Sequence, residues 1–463
     1  MFVDTLGDHL AVATDGKVLD VAKGYLEKNV IGRAATAAGD LEVVVYPSKV
    51  FELYRAEVEA LLGEMAKDTA VSADVPDPQL RKALEVWNTY NMESTKRTIT
   101  RMLELQQAVF AVGIDEGGLR MRFAMAPAPD STMAKEQVAA FSRPVNPAFA
   151  TKLPADTIAM MAARRDVAVA NQMEASKEAT DAMVKAYAAW TGKDPAQVKA
   201  TYDGYVQKMV AHFGEHQALG VLAGGDVPLG IVVVNETRDA GARDLMREIF
   251  AKLKPETFLP KQAQGYVVWT YAADGAKAGG VAMDRLTFEF GPKLATAVEA
   301  EMKKDPDLAK VRDFLGGWKI VVDTAYLDGA QITVWAPKAE EKAAEKAVAA
   351  YRGEGALDRA AVDAVLRQDG RSWLIAGANV GGILAALRKI SPEEMAAVPE
   401  KIGGDLDDVV LTGAVTQDGV SEWQLVFKQS FVDDVRKAIE AAQGGGGAQP
   451  VAPAPQGTSG AQP

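Results

Sequence analysis

The sequence predicts an α+β protein: two related units of mainly antiparallel sheet with covering helices, followed by a disordered C-terminal tail. Three observations carry this. Alternating apolar strands meet in pairs at Asp115–Gly118, Gly224–Asp226 and Asp418–Gly419, and Asp-Gly or Gly-Gly turns of this kind join antiparallel neighbours. Between the hairpins lie stretches with apolar residues three and four apart, the period of a helix packed on one face. Finally, one order of elements occurs twice along the chain, which is the signature of an internal repeat.

The first copy opens at Val3 with VDTLGDHLAVATDGKVLDVAKGYL, the second at Val322 with VDTAYLDGAQITVWAPKAEEKAAEKAVAAY. Each reads as a short strand, a turn centred on Gly7 or Gly329, a second strand (Leu10 to Ala13, Gln331 to Ala336) and a helix. LEVVVYPSKVFELYRAEVEALL from Leu41 matches SWLIAGANVGGILAALRKI from Ser372, each a compact strand entering a helix. The closing hairpins are Leu103–Phe123 and Asp408–Phe427, and a third runs from Glu215 as EHQALGVLAGGDVPLGIVVV. In LRMRF (Leu119–Phe123) and WQLVF (Trp423–Phe427), alternation puts one face in and one out.

Around these lie Thr157–Ala163 as a strand, Asp166–Trp190 as a long helix, and further strands at Gly230–Val234, Gly265–Thr270 and from Val281. Helices follow at Ala240–Leu253 and Leu294–Met302. Five prolines between Ala126 and Pro154 mark a connector with a helical turn at Thr132–Phe141. The expected organisation is a first, N-terminally incomplete unit at 1–125, a connector at 126–152, a larger unit at 153–440 and a tail at 441–463. That tail has no charged side chain and is rich in Gly and Pro, so it cannot bury enough apolar surface to offset its ordering entropy.

Composition excludes several functions. The 51 Lys and Arg against 63 Asp and Glu leave a charge of −12 over 463 residues, and no basic patch with interleaved aromatics is present, so nucleic acid is not an expected partner. With no cysteine there are no disulfides, thiolate nucleophiles, Cys-ligated metals or iron–sulfur clusters. The longest apolar run, Ser372–Leu387, has 16 residues and contains three glycines, too short for a membrane span, so no integral membrane segment is expected.

The phrase LPADTIAMMAARRD from Leu153, the long helix after it and the Gly-turned hairpins resemble a group of uncharacterised bacterial envelope proteins with duplicated mixed α/β units. The resemblance covers Leu153–Phe431 and Val3–Phe123. It implies residence in the periplasm or at the cell surface and no known catalysis. The first unit has no counterpart of LPADTIAMMAARRD, so a missing front carrying an export signal is expected, the alternative being a true half-unit whose edge strand the larger domain covers; with Met1 as the true start, the reading is cytoplasmic.

One chemical pattern stands out. His212–Phe213–Gly214–Glu215–His216 fits H-x-x-E-H, in which two histidines one helical turn apart hold zinc and the Glu acts as base. It resembles the motif of the inverted-zincin peptidases, which implies a third ligand some seventy to eighty residues on, and Glu289 is the carboxylate in that window. Against this, Gly214 weakens the ligand helix, and the aligned first-unit segment from Glu104 holds no such motif. The plainer reading is a helix end with an exposed His pair. Gly377–Ala378–Asn379–Val380–Gly381–Gly382 sits between a strand and a helix as a phosphate loop would, but lacks the G-x-G-x-x-G spacing. Asn235–Glu236–Thr237 is expected at a helix start, and Asp405–Asp408 in a solvated loop or a helix N-terminal turn.

The aromatic residues Trp87, Tyr90, Trp190, Tyr202 and Tyr205 in helices, and Trp269, Tyr271, Trp318, Trp335 and Trp423 in strands, are core by default. Facing a groove, they would form an apolar ligand or peptide site. The expected function is a non-catalytic envelope binding or scaffolding protein with no cofactor and no assigned catalytic or metal residue, partnering a protein or an apolar small molecule. The alternative is a zinc-dependent peptidase-like hydrolase with His212, His216 and Glu289 as ligands and Glu215 as base.

Overall fold

The computed structural model describes residues 2–6, 9–13, 23 and 41–68, and residues 75–444 with short breaks. Acid-proline pairs set several helix starts. Asp77 accepts hydrogen bonds from the Gln79 and Leu80 amides at 2.8 and 3.2 Å, and Asp194 accepts one from Ala196 at 3.0 Å. In both cases a proline follows at the first helical position, where its missing N–H costs nothing.

The helices are α1 (Pro47–Leu53), α2 (Arg55–Asp68), α3 (Pro78–Met102), α4 (Thr132–Phe141), α5 (Glu174–Thr191), α6 (Pro195–His212) and α7 (Gly241–Lys252). They continue as α8 (Pro255–Phe258), α9 (Pro292–Met302), α10 (Pro306–Leu315), α11 (Glu340–Tyr351), α12 (Arg359–Val365), α13 (Val380–Ile390) and α14 (Gln429–Gly444). The tail expected from Ala441 thus begins inside α14, and 445–463 lie outside the described residues. So do the Gly7 turn and the helix expected after Ala13, apart from Lys23.

The strands are β1 (Phe2–Leu6), β2 (His9–Ala13), β3 (Leu41–Val45), β4 (Leu105–Asp115), β5 (Gly118–Pro127), β6 (Thr157–Arg164), β7 (Phe213–Gly224) and β8 (Val227–Thr237). After them come β9 (Val267–Ala278), β10 (Val281–Phe290), β11 (Lys319–Leu327), β12 (Ala330–Trp335), β13 (Ser372–Ala378), β14 (Val409–Val415) and β15 (Ser421–Lys428). Among the described residues β1 and β2 pair only with each other, Phe2 opposite Ala13.

The remaining strands form one 13-stranded sheet in the order β3-β4-β5-β15-β14-β13-β6-β7-β8-β12-β11-β10-β9. Every pairing in it is antiparallel, so the fold is α+β. The order contains a rule. Four times along the chain a strand is followed by one or more helices, a hairpin and another helix, at β3–β5, β6–β8, β10–β12 and β13–β15. Where two such groups meet, equivalent strands pair: last with last at β5–β15 and β8–β12, first with first at β13–β6. The division expected at residue 125 falls inside β5, and β3–β5 join the rest through Ser421↔Met125 to Lys428↔Gly118.

The core lies over the middle strands. Met160, Ala162, Leu222, Val232, Val234, Ile332 and Val334 are buried there, under α11, whose Ala343, Ala344, Ala347 and Val348 face inward. Small side chains along one face let this helix approach the sheet closely. The proline-rich segment packs into the same core through Val145, Ala150 and Leu153, and Thr132–Phe141 is helical as its sequence suggests, capped by Ser131 onto the Ala134 amide at 3.1 Å.

Candidate functional site: an apolar pocket between helices

The H-x-x-E-H segment does not form a helical ligand pair. α6 ends at His212 and β7 begins at Phe213, because the Glu236 carboxylate on β8 reaches back to accept the Glu215 and His216 amides at 2.8 and 3.1 Å. Gly214 makes this approach possible: a Cβ there would lie 2.2 Å from the Glu236 carboxylate. The residue that weakens a helix is therefore the one that lets the strand start.

Each member of the motif is engaged separately. His212 Nδ1 lies 2.7 Å from Asp239 Oδ1, and that hydrogen bond, with one from the Gly241 amide, holds the Asp239 carboxyl below its ordinary range. Glu215 pairs with the buried Arg164 and, at 3.7 Å, with Arg143. His216 stacks on Phe149 with centroids 5.8 Å apart, and its Nδ1 accepts the Asn146 amide at 3.2 Å. Burial lowers the His216 pKa, an effect that Glu236 opposes and Arg164 reinforces. Glu289 pairs with Lys319 at 3.3 Å on β10, four strands from β7, a separation of roughly 19 Å at about 4.8 Å per strand. The zinc ligands of the alternative reading, His212, His216 and Glu289, are not brought together, and Glu215 is engaged by two arginines. Among the described residues no group of three or more acidic or histidine side chains is arranged to hold a metal ion.

The glycine-rich turn into α13 carries an anion of its own. Asp408, 1% exposed, accepts the Val380 and Gly404 amides at 3.1 and 2.7 Å, while Asn379 accepts the Gly382 amide at 2.7 Å. A phosphate loop presents such amides to a ligand; here a carboxylate from the chain takes them. Asp408 is thus a buried cap, whereas Asp405 and Asp407 both lie 2.8 Å from Lys428. Asn235–Glu236–Thr237 closes β8, with Asn235 donating to Gln331 at 3.0 Å, and is not a helix start.

The space for a ligand lies elsewhere. The chain reverses at Gly192–Asp194, laying α6 beside α5, and α7 with α8 complete a pocket of about 580 Å³. Its apolar lining comes from Met183, Val184, Val198, Ile249, Leu253 and Phe258, and its aromatic hydroxyls from Tyr187, Tyr202 and Tyr205. One wall is fixed by Tyr187, which stacks on Phe258 at 5.2 Å and donates to the Phe258 carbonyl at 3.1 Å. Trp269 of β9 braces the same wall by donating to the Leu253 carbonyl. Lys193 and Lys252 sit over the Tyr187 and Tyr205 rings, 5.3 and 6.0 Å from their centroids. Lys252 also bonds Glu248, which hydrogen bonds from Lys208 and Lys252 hold at a pKa of about 2.

On its other side α7 is tied to the sheet by charge. Arg247 bonds both oxygens of Asp284, which also accepts the Tyr271 hydroxyl at 2.7 Å and the Asp274 amide at 3.0 Å. Burial alone would raise the Asp284 pKa, but Arg247, Tyr271 and that amide together hold it below its ordinary value. This cluster borders a smaller cavity of about 200 Å³, where burial pushes the Tyr326 hydroxyl up to about 12.

Of the aromatic residues that stand out in the sequence, Tyr202 and Tyr205 line the pocket and Trp269 supports it. Sequence reasoning misses Tyr187, Phe258, Ile249 and Leu253. Their signal is one of matched spacing: 183, 184 and 187 on one helix and 198, 201, 202 and 205 on the next lie three and four apart, a stripe on each that faces the other. Comparison of the chain with family models, with curated proteins and with solved structures finds no match.

Proposed function

We propose that the protein is a non-catalytic binding or scaffolding protein of the bacterial envelope, and that its ligand is an apolar small molecule held between α5, α6 and α7. The observation that carries this reading is the pocket itself. Its volume of about 580 Å³ falls within the roughly 300–1,000 Å³ of ligand sites, which are mostly apolar with a few polar groups fixing orientation. The hydroxyls of Tyr202, Tyr205 and Thr201 supply those groups. The lining contains no carboxylate and no imidazole, a set of side chains suited to holding a molecule rather than moving protons.

The recurrence of strand, helix, hairpin and helix supports a duplicated architecture, the feature on which the likeness to envelope proteins rests. Residence in the periplasm or at the cell surface is part of the proposal, and fractionation of cells that express the native gene tests it: recovery with cytoplasmic markers overturns the location without touching the pocket. The binding reading is tested with N-phenylnaphthylamine, a neutral apolar fluorophore. Saturable enhancement at one probe per chain supports it, and a linear, unsaturable response contradicts it.

A further inference from the structure

An open sheet has two edges, and this one treats them differently. At one end β10, the first strand of its group, is covered by β9, and β9 is irregular: its register against β10 shifts between Met283 and Arg285, and Asp274 takes a φ of 54°. A bulge and an inserted charge are the usual means of stopping further strand pairing. At the other end β3, also the first strand of its group, pairs on one side with β4 in unbroken register, Leu41↔Val112 to Val45↔Ala108. Among the described residues nothing pairs with its other side.

The surface around β3 is apolar. Leu41, Val43 and Val45, alternate residues that share one face, are 55%, 45% and 41% exposed. Of the twenty exposed large apolar residues in the described chain, eight fall between Leu41 and Leu61. Scattered apolar residues on a surface need no explanation, but a concentration of this kind marks an interaction surface.

The sheet's own joints indicate what fits. Groups meet with equivalent strands antiparallel, and the one joint between first strands, β13–β6, is Leu374↔Ala163 to Ala378↔Ala159. We infer that β3 pairs antiparallel with β3 of a second copy of this chain, repeating the first-to-first joint across a two-fold axis. The register that pairs all five residues puts Val43 opposite its own copy, Leu41 opposite Val45 and Glu42 opposite Val44. That register aligns the apolar face with itself, and no like charges lie directly opposite. Such an isologous contact closes after two chains, so it yields a dimer and not a filament.

The test uses the full chain, measured by size-exclusion chromatography with light scattering at tens of micromolar. The expected mass is twice 49.2 kDa, falling to the monomer in Val43→Lys with unchanged far-UV circular dichroism. Because the chain has no cysteine, Val43→Cys introduces one thiol per copy. Directly opposed Cβ atoms lie about 4.5–5.5 Å apart, close to the span a disulfide closes, so mild oxidation should link two chains. Ile114→Cys, at a position 68% exposed, is the control and should not link. A monomer at these concentrations overturns the inference, as does a dimer that Val43→Lys leaves intact, or equal linkage at positions 43 and 114. A monomeric Val43→Cys variant whose introduced thiol resists thiol reagents also overturns it, showing that β3 is covered by other residues of the same chain.

Discussion

Arg247 holds Asp284 through two nitrogens, Nε at 3.0 Å and Nη2 at 2.6 Å from its two carboxylate oxygens, and so joins α7 to β10. Asp284 is 3% exposed; its removal leaves Arg247 with Asp274 at 2.8 Å but takes the acceptor from the Tyr271 hydroxyl and the Asp274 amide. Asp284→Ala is therefore expected to destabilise the fold by about 1–3 kcal/mol, measured as a shift in urea midpoint. The Asp284 carboxyl is depressed in the folded chain, so its contribution is complete above the unfolded value of about 3.9 and is lost as pH falls through the lower folded value. Asp284→Asn should show a shallower loss of stability below about pH 4 than the parent chain.

His216 titrates in a more accessible range. Its pKa is lowered in the fold, so the unfolded chain takes up this proton first, near pH 6.5, and stability falls as the pH drops from there toward the lower folded value. His216→Gln should flatten the pH dependence of the urea midpoint between about pH 7 and 5. An unchanged slope would remove His216 as its source.

At Gly403 the backbone takes a φ of +65°, and a Cβ would lie 2.2 Å from Asp408 Oδ2. Gly403→Ala is expected to cost at least about 1–3 kcal/mol, the range for a residue forced into the left-handed region. Asp408→Ala should cost about 1–3 kcal/mol because the Val380 and Gly404 amides lose their acceptor. Thermal unfolding of both variants checks the role of this carboxylate as an internal cap.

Protein purified without an affinity tag should contain no stoichiometric zinc, and His212→Ala should leave its metal content unchanged. One equivalent of zinc lost on that substitution would restore the hydrolase reading and require His212 and His216 to move from their present partners.

Local signals are legible in the sequence wherever one short segment decides the outcome. The turns at Asp115–Gly118 and Asp418–Gly419 set their hairpins, and the stretch Thr132–Phe141 forms α4. The expected helix Asp166–Trp190 is met by α5 from Glu174 onward, and most of 167–172 lies outside the described residues. The H-x-x-E-H letters mislead because the contact that ends α6 comes from Glu236, on another strand and distant in sequence from Gly214. Pairing between distant segments, such as Arg122 with Glu422 at 2.5 Å across β5 and β15, leaves no local trace. The pocket follows the same logic, since its two helical stripes are each visible but their meeting depends on the turn at Gly192 and on α7.

Whether the space between α5, α6 and α7 is the binding site is decided by titrating the folded chain with N-phenylnaphthylamine, alongside Val198→Trp, whose indole would occupy the space between α5 and α6. Saturable binding at one probe per chain is expected in the parent. In Val198→Trp the affinity should fall at least about tenfold, equivalent to about 1.4 kcal/mol, with the thermal midpoint retained. Equal binding by both proteins would place the probe elsewhere on the molecule and contradict the assignment of this pocket as the binding site.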